Sequence, residues 1–343
     1  MIACRISAVS SQWHGHPMVS VVVPTRDRPQ LLTRALTAIL QQDYAGPIEC
    51  IVVFDQSVPA LPPGLVVPDG RTVRGIPNTR RPGLPGARNS GILASRGELI
   101  AFCDDDDEWL PPKLSAQVPD LIRSTSHSVA TTGIITVLQG RSRERNLDLR
   151  EVPHEMFLVS RVMEVHSSTL LIRRSALLDE IGLLDEAIPG GYAEDHEWLL
   201  RATLRAPILV TPAPLVRVLI HRASYFSEQW QLIADASRYL LERYPELTTS
   251  RRGLARIYGR LALAEAALKH RRVALRYARD SLRLQWRQHR AYTGILMALG
   301  VLTPDSAIRL ANLLKSIPSW WSLRVAPRLR REGPDGSAAA PTG

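Results

Sequence analysis

The stretch Leu99-Ile100-Ala101-Phe102-Cys103-Asp104-Asp105-Asp106-Asp107-Glu108-Trp109 joins a short apolar run to four consecutive aspartates. An apolar run of this length reads as a buried strand. Four adjacent carboxylates at its end repel one another unless something positive neutralises them. Clustered carboxylate oxygens suit a hard divalent ion, Mg2+ or Mn2+, of the kind that also grips paired phosphates. A solvated acidic turn is the bland alternative. Such a turn requires neither the apolar strand before it nor the Trp109-Leu110-Pro111-Pro112-Lys113 segment after it.

Upstream, Val19 to Val23 is β-branched and ends at Pro24, so it reads as a second buried strand. From Gln30 the apolar residues Leu31, Leu32, Ala35, Leu36, Ile39 and Leu40 recur at helical spacing, and Ile48 to Phe54 is another β-branched run. Together they form a β-α-β unit. A Gly- and Pro-rich basic stretch, Gly75 to Gly86, precedes a helix over Ala87 to Ser95. The three apolar runs end in polar or acidic residues, and ligands of open α/β sheets bind beyond the carboxyl ends of the strands. The architecture therefore nominates a nucleotide site.

Beyond Pro112, a helix is expected around Leu114 to Ile122 and strands at Ile134 to Leu138, Thr169 to Ile172 and Leu215 to Ile220. Residues 139–160 are rich in charge and read as a solvated loop or insertion. A second acidic site follows at Tyr192-Ala193-Glu194-Asp195-His196-Glu197-Trp198, opening a helix that continues through Leu199 and Leu200. Acids at a helix N-terminus complement its dipole, a contribution of about 0.3–1 kcal/mol each. They also suit general-base catalysis, in which one carboxylate takes the proton of an attacking hydroxyl.

In order along the chain, Val21-Val22-Val23-Pro24-Thr25-Arg26, Val52-Val53-Phe54-Asp55-Gln56-Ser57, Gly86-Ala87-Arg88-Asn89-Ser90-Gly91, the aspartate run and Glu194-Asp195 resemble the motifs of family 2 glycosyltransferases. The resemblance covers about residues 18–225. It implies the GT-A fold, an α/β Rossmann-like mixed sheet, and an inverting enzyme of the hexosyltransferase type that uses a nucleotide-diphosphate sugar. It further implies that Pro24, Thr25, Arg26, Asp55 and Arg88 line the nucleotide pocket, with Asp104 nearer the ribose, Asp105 beside it among the nucleotide-binding residues and Asp106 on the metal. With four aspartates in a row, that register can shift by one. Some enzymes of this fold complete the metal shell with a histidine after the last strand, where His221 stands here. Asp195 is the expected base, with Glu194 beside it, and His166-Ser167-Ser168-Thr169 would line the acceptor side. Phe54, Gln56 and Asp27 depart from the family's more frequent aspartate, glycine and asparagine.

At 343 residues with 45% hydrophobic and 22% charged residues, the composition is that of a folded protein and excludes wholesale disorder and collagen-like classes. The net charge of +10 is uneven: residues 1–240 carry 24 Lys+Arg against 26 Asp+Glu, and residues 241–343 carry 19 against 7. The excess belongs to a helical C-terminal part, where Leu254, Ile257, Leu261, Ala264 and Leu268 share one face, Val273 to Trp286 continues the pattern and Ala307 to Ile317 suggests a further helix. The basic surface reads as a solvated helical face, an anionic-membrane contact or a tetratricopeptide-like protein contact. Few aromatics interleave its arginines, which argues against nucleic acid.

Cys4, Cys50 and Cys103 form no paired motif, and no apolar stretch reaches the length of a membrane span or a signal peptide's core. A cytoplasmic location, peripheral to the inner membrane face, is expected. The expected organisation is a leader at 1–17, a catalytic GT-A domain at 18–225, a helical basic domain at 226–332 and a disordered tail at 333–343. The expected reaction passes a sugar, with UDP-sugar favoured as donor, to a glycan or lipid-linked acceptor. Two rivals are a nucleotidyltransferase and a non-catalytic nucleotide-sugar- or nucleic-acid-binding protein. The first would need a Gly-rich loop after the first strand, and Pro24 to Pro29 contains no glycine.

Overall fold

Strand β1 (Val19–Thr25) and strand β2 (Ile48–Phe54) pair in parallel and are buried along their whole length, as continuous β-branched runs require when both faces of a sheet are covered. The computed structural model describes residues 15–138, 140–220 and 229–309. The expected domain boundary at 225–226, the tail at 333–343 and most of the leader lie outside them. Helix α1 (Pro29–Leu40) starts with a proline in its first turn and buries Leu32, Ala35, Leu36, Ile39 and Leu40, the face its spacing predicts.

Strand β3 (Arg71–Pro77) pairs with β2 at the sheet edge, inside and just before the stretch that reads as a basic loop. An edge strand needs only one apolar face, and Arg71, Arg74 and Gly75 mask the alternation. Helix α2 (Leu84–Ala94) then packs against β1 and β2. Its Gly91 allows that approach, because a Cβ there would lie 2.3 Å from a Val22 methyl. Strand β4 (Leu99–Phe102) returns beside β1 in parallel and delivers the aspartates.

The rest of the sheet is mixed. After β5 (Glu108–Trp109) and α3 (Lys113–Arg123) come β6 (Val129–Leu138), β7 (Arg141–Arg145), β8 (Glu151–Val152), the short helix α4 (His154–Val159), β9 (Leu171–Arg173), α5 (Glu194–Arg205) and β10 (Ile208–Leu219). The ten strands run β3-β2-β1-β4-β9-β6-β10-β5, with β7 on β6 and β8 on β10. Strand β9 is antiparallel to both β4 and β6. Residues 139–160 are thus not simply a loop: β7, β8 and α4 lie there. Their charge is explained by β7 being the outer strand of a hairpin, with Arg141 to Glu144 exposed.

Two apolar cores flank the sheet. One joins Val22, Val53 and Phe102 to Phe157, Trp198 and Leu199; the other joins Val21, Val23, Leu36 and Ile39 to Leu114 and Val118. Each buried large side chain stabilises the fold by about 1.5–3 kcal/mol. The first core sets α5 beside the strand ends.

Helices α6 (Trp230–Arg243), α7 (Arg251–Ala267), α8 (Arg271–Leu284) and α9 (His289–Ala298) follow. The helix expected from Ala307 begins earlier, at residue 304, and is described only to residue 309. Gly253 of α7 sits on the Leu158 carbonyl, where a Cβ would come within 1.9 Å. The Tyr244 hydroxyl donates to the fully buried Glu197 of α5, which also accepts from Arg201. The C-terminal helices therefore brace the helix that carries the second acidic motif. No helix among the described residues is long and apolar enough to cross a membrane.

Candidate active site

The aspartate run folds into a turn closed by the Asp107 N–H on the Asp104 carbonyl at 3.0 Å. Burial alternates through it: the side chains of Asp105 and Asp107 are 8% and 2% exposed, those of Asp104 and Asp106 22% and 17%. Asp105 accepts from the Thr25 hydroxyl at 2.7 Å, and Arg28 reaches both Asp105 (3.3 Å) and Asp106 (3.2 Å). Asp107 accepts from the Ser168 hydroxyl at 2.5 Å and the Leu219 amide at 3.3 Å, with His166 Nδ1 at 3.4 Å. The same Ser168 oxygen accepts the Asp104 amide, and Ser167 donates to the Asp104 carboxylate.

Burial pushes Asp107 well above the usual carboxylate range, with nearby Asp104 adding to the effect. Burial also raises Asp105, to about 6. Burial would raise Asp104 too, but the Arg88 guanidinium outweighs it and holds that carboxyl low.

Arg88 connects the two acidic motifs. Only 1% exposed, it donates through Nη2 to Asp104 at 2.6 Å and through Nη1 to Glu194 at 2.5 Å. Ala193, in the left-handed region at φ 66°, turns the chain sharply into α5 and brings Glu194 and Asp195 into its buried first turn. Asp195 pairs with Arg161 and accepts its neighbour's amide, that of His196, at 2.8 Å. Burial would raise Asp195, yet Arg161 and Arg88 hold it below its ordinary value. Glu194 is pushed up to about 7 by burial and by Asp195. His196 is pushed down to about 4 by burial, so its imidazole is neutral at pH 7.

Among the remaining expected residues, Pro24 is buried at the end of β1 and Arg26 is exposed. Asp55, at the end of β2, accepts from Asn78 at 2.7 Å and from the Gly83 amide at 3.0 Å, fastening the loop that leads into α2. Asp27 and Gln56 have φ values of 53° and 54°. That left-handed conformation favours Gly, Asn and Asp, which gives a physical reason for the residues more frequent at these positions. His221 lies outside the described residues.

Sequence reasoning did not anticipate Arg161 or the link from Arg88 to Glu194. Arg161 lies at the end of a charge-rich segment that offers no local signal. The Arg88–Glu194 pair spans 106 positions.

The donor set suits a hard cation. Six carboxylates, Asp104 to Asp107 with Glu194 and Asp195, face three guanidiniums, those of Arg28, Arg88 and Arg161. Asp104, Asp107 and His166 also place one ligand atom each within 4.8 Å of one another. Sites of this donor type take Mg2+ or Mn2+.

Much of the chain that carries the β3-β2-β1-β4 parallel sheet and the aspartate turn is similar to known proteins. The glycosyl transferase family 2 profile matches residues 20–180. Those residues belong to glycosyl transferase family 2. Over 102 residues the chain is 36% identical to the putative colanic acid biosynthesis glycosyl transferase WcaA of Escherichia coli (strain K12), covering 29% of this chain and 36% of that one. It is 35% identical over 102 residues to the GalNAc(5)-diNAcBac-PP-undecaprenol beta-1,3-glucosyltransferase of Campylobacter jejuni, covering 29% and 33%. The matched stretches thus span about a third of these relatives' lengths.

Among solved structures, S. aureus TarS 1-349 in complex with UDP-GlcNAc superposes with TM-score 0.52 at 18% identity, covering 86% of this chain and 92% of that one. The mannosyltransferase PcManGT from Pyrobaculum calidifontis, in complex with GDP-Man and Mn2+, gives TM-score 0.52 at 18% identity, covering 88% and 89%. These likenesses show that the fold is GT-A, as the sequence resemblance implied.

Proposed function

We propose that the chain is an inverting glycosyltransferase that moves a sugar from a nucleotide-diphosphate sugar to a hydroxyl of a glycan or lipid-linked acceptor. One observation carries this reading: the buried Arg88 side chain bridges Asp104 and Glu194, so the strand-end carboxylates and the helix carboxylates serve one reaction centre. The relatives support the acceptor class, since one is named for a lipid diphosphate acceptor. Structural neighbours bind UDP-GlcNAc and GDP-Man; a UDP-sugar, which the family resemblance favours, is the first donor to try and a GDP-sugar the second.

In this reading Asp195 is the base. Held ionised by Arg161, which is itself half-exposed, it accepts the proton of the acceptor hydroxyl. The acceptor oxygen bonds the anomeric carbon as the bond from that carbon to the diphosphate oxygen breaks, and a single in-line displacement inverts the centre. Thr25, Asp55 and Arg88 orient the nucleotide. Asp106 would hold a Mn2+ or Mg2+ ion, with His221 as a further ligand, and Asp104, the other more accessible aspartate, would lie toward the ribose. When bound, that ion stabilises charge on the departing diphosphate. Asp107 and His166 form the deeper alternative ligand pair, although Asp107 is already committed to Ser168 and Leu219.

The basic helical region from about 226 to 332 is proposed as a peripheral contact with an anionic membrane, which would bring the cytoplasmic active site to a lipid-linked acceptor. The test of the catalytic reading is release of nucleotide from a panel of UDP- and GDP-sugars with Mn2+ or Mg2+. Metal-dependent release from one donor, abolished in Asp106→Ala, supports it. Neither release nor metal-dependent nucleotide binding from any donor overturns it.

A further inference from the structure

A groove of about 570 Å3 opens beside Asp106, and neither Asp55 nor Arg88 lines it. Its floor is a face of the mixed half of the sheet. Glu144, Ile135, Arg217 and Glu108 lie opposite one another across β7, β6, β10 and β5. Residues directly opposite in adjacent strands point to the same face, so these four form one row. Ser142, Val137 and Leu219 form the next. Within the rows Ile135, Val137 and Leu219 are half-buried and make an aliphatic strip, while Arg217 and Glu144 are exposed at its margins. Arg34 of α1 closes the far rim through its ion pair with Glu108.

The charge pattern selects the occupant. Apart from Asp106, which the metal reading assigns to the ion, two carboxylates (Glu108, Glu144) and two guanidiniums (Arg34, Arg217) line the groove, so its own charges balance and it offers no positive excess to a phosphate-rich ligand. Three aliphatic side chains are too few for a lipid tail. A neutral sugar ring matches both features, because its C–H faces lie on aliphatic surface while its hydroxyls donate to carboxylates and accept from guanidiniums. The volume falls within the range of about 300–1,000 Å3 common for small-molecule sites. We propose that this groove binds a neutral saccharide unit of the acceptor, behind the sugar that is glycosylated and outside the reaction centre, since neither Asp195 nor Glu194 lines it. The proposal rests on the transferase reading, and it makes the β6–β7 hairpin the element that recognises the glycan.

The test is saturation-transfer NMR on the full chain loaded with UDP and diamagnetic Mg2+, offering cellobiose, laminaribiose, maltose and N,N′-diacetylchitobiose at millimolar concentration, with UDP affinity measured on every variant. At least one disaccharide should receive saturation from the protein. That signal should fall at least fivefold in the double variant Arg217→Ala/Glu144→Ala and in Val137→Trp, with UDP affinity unchanged within twofold. The double variant alters exposed side chains only, so it decides the matter even if the tryptophan prevents folding. No transfer to any disaccharide, an undiminished signal in the double variant, or displacement of the sugar by inorganic pyrophosphate would overturn the proposal. Failure of the native protein to bind either UDP or GDP would instead bring down the transferase reading itself.

Discussion

Replacing Arg88 with methionine keeps the side chain's length and apolar stem while deleting the charge that joins the two acidic motifs. Two hydrogen-bonded ion pairs disappear, at 2.6 Å to Asp104 and 2.5 Å to Glu194, and Glu194 is left buried without its guanidinium partner. Removing one partner of a buried pair costs about 3–5 kcal/mol, a large share of a typical domain's total stability of about 5–15 kcal/mol. The loss should depend on pH. Glu194 already titrates near 7, raised by burial above its ordinary value, so the folded state binds more protons than the unfolded chain between about 4.5 and 7. Its contribution is present below that window and is lost as pH rises through it. Without Arg88 the window extends upward, so the variant should recover stability relative to native as pH falls from 8 to 6. Urea unfolding at several pH values measures this, with Arg88→Lys as a control whose single ammonium cannot span both carboxylates. A deficit under 1 kcal/mol at pH 8, or one that does not vary with pH, would refute the claim that Arg88 is the buried link.

Three further outcomes follow from the same structure. Asp195→Asn should lower transfer by about 10²–10⁴-fold, the span expected for a general base, while donor affinity by calorimetry stays within a few-fold; a comparable loss of binding would show a structural role instead. Lys113, fully buried beside the Trp109 ring and bonded to Gln117 at 2.9 Å, is pushed down to about 7 by burial. The unfolded chain therefore binds more protons between about 7 and 10.5, and Lys113 makes stability rise with pH by up to about 1.4 kcal/mol per unit in that window. Lys113→Met should exceed native stability at pH 7 by more than at pH 9, the advantage disappearing only as pH nears about 10.5, as read from paired denaturation curves. Tyr244→Phe removes a hydroxyl donor from buried Glu197 and should cost about 1–3 kcal/mol, measurable by thermal unfolding; no change would mean that α6 does not brace α5.

The central strands were legible because they are the simplest case physically. β1, β2 and β4 are covered on both faces, so their sequences are unbroken apolar runs. β3 and β7 escaped the same reading because edge and hairpin positions tolerate arginines on solvent-facing sides. The aspartate run announced a site but not its register. Only the folded turn shows that Asp105 and Asp107 face inward, one to Thr25 and one to Ser168, while Asp104 and Asp106 remain accessible. The charge-neutralising partners were the hardest to foresee. Arg161 and Arg88 meet Asp195 and Glu194 through the packing of α4 and α5 on the sheet, a long-range outcome that no local pattern encodes.

The most direct test of the account is calorimetric titration of UDP and GDP into the native chain and into Asp106→Ala, each with and without Mn2+. If the strand-end aspartates and a divalent ion form the donor site, one nucleotide binds the native protein only when Mn2+ is present, and Asp106→Ala loses that metal-dependent component while its thermal unfolding midpoint is preserved. Nucleotide binding that is equal with and without metal, and equal in the two proteins, would contradict the account.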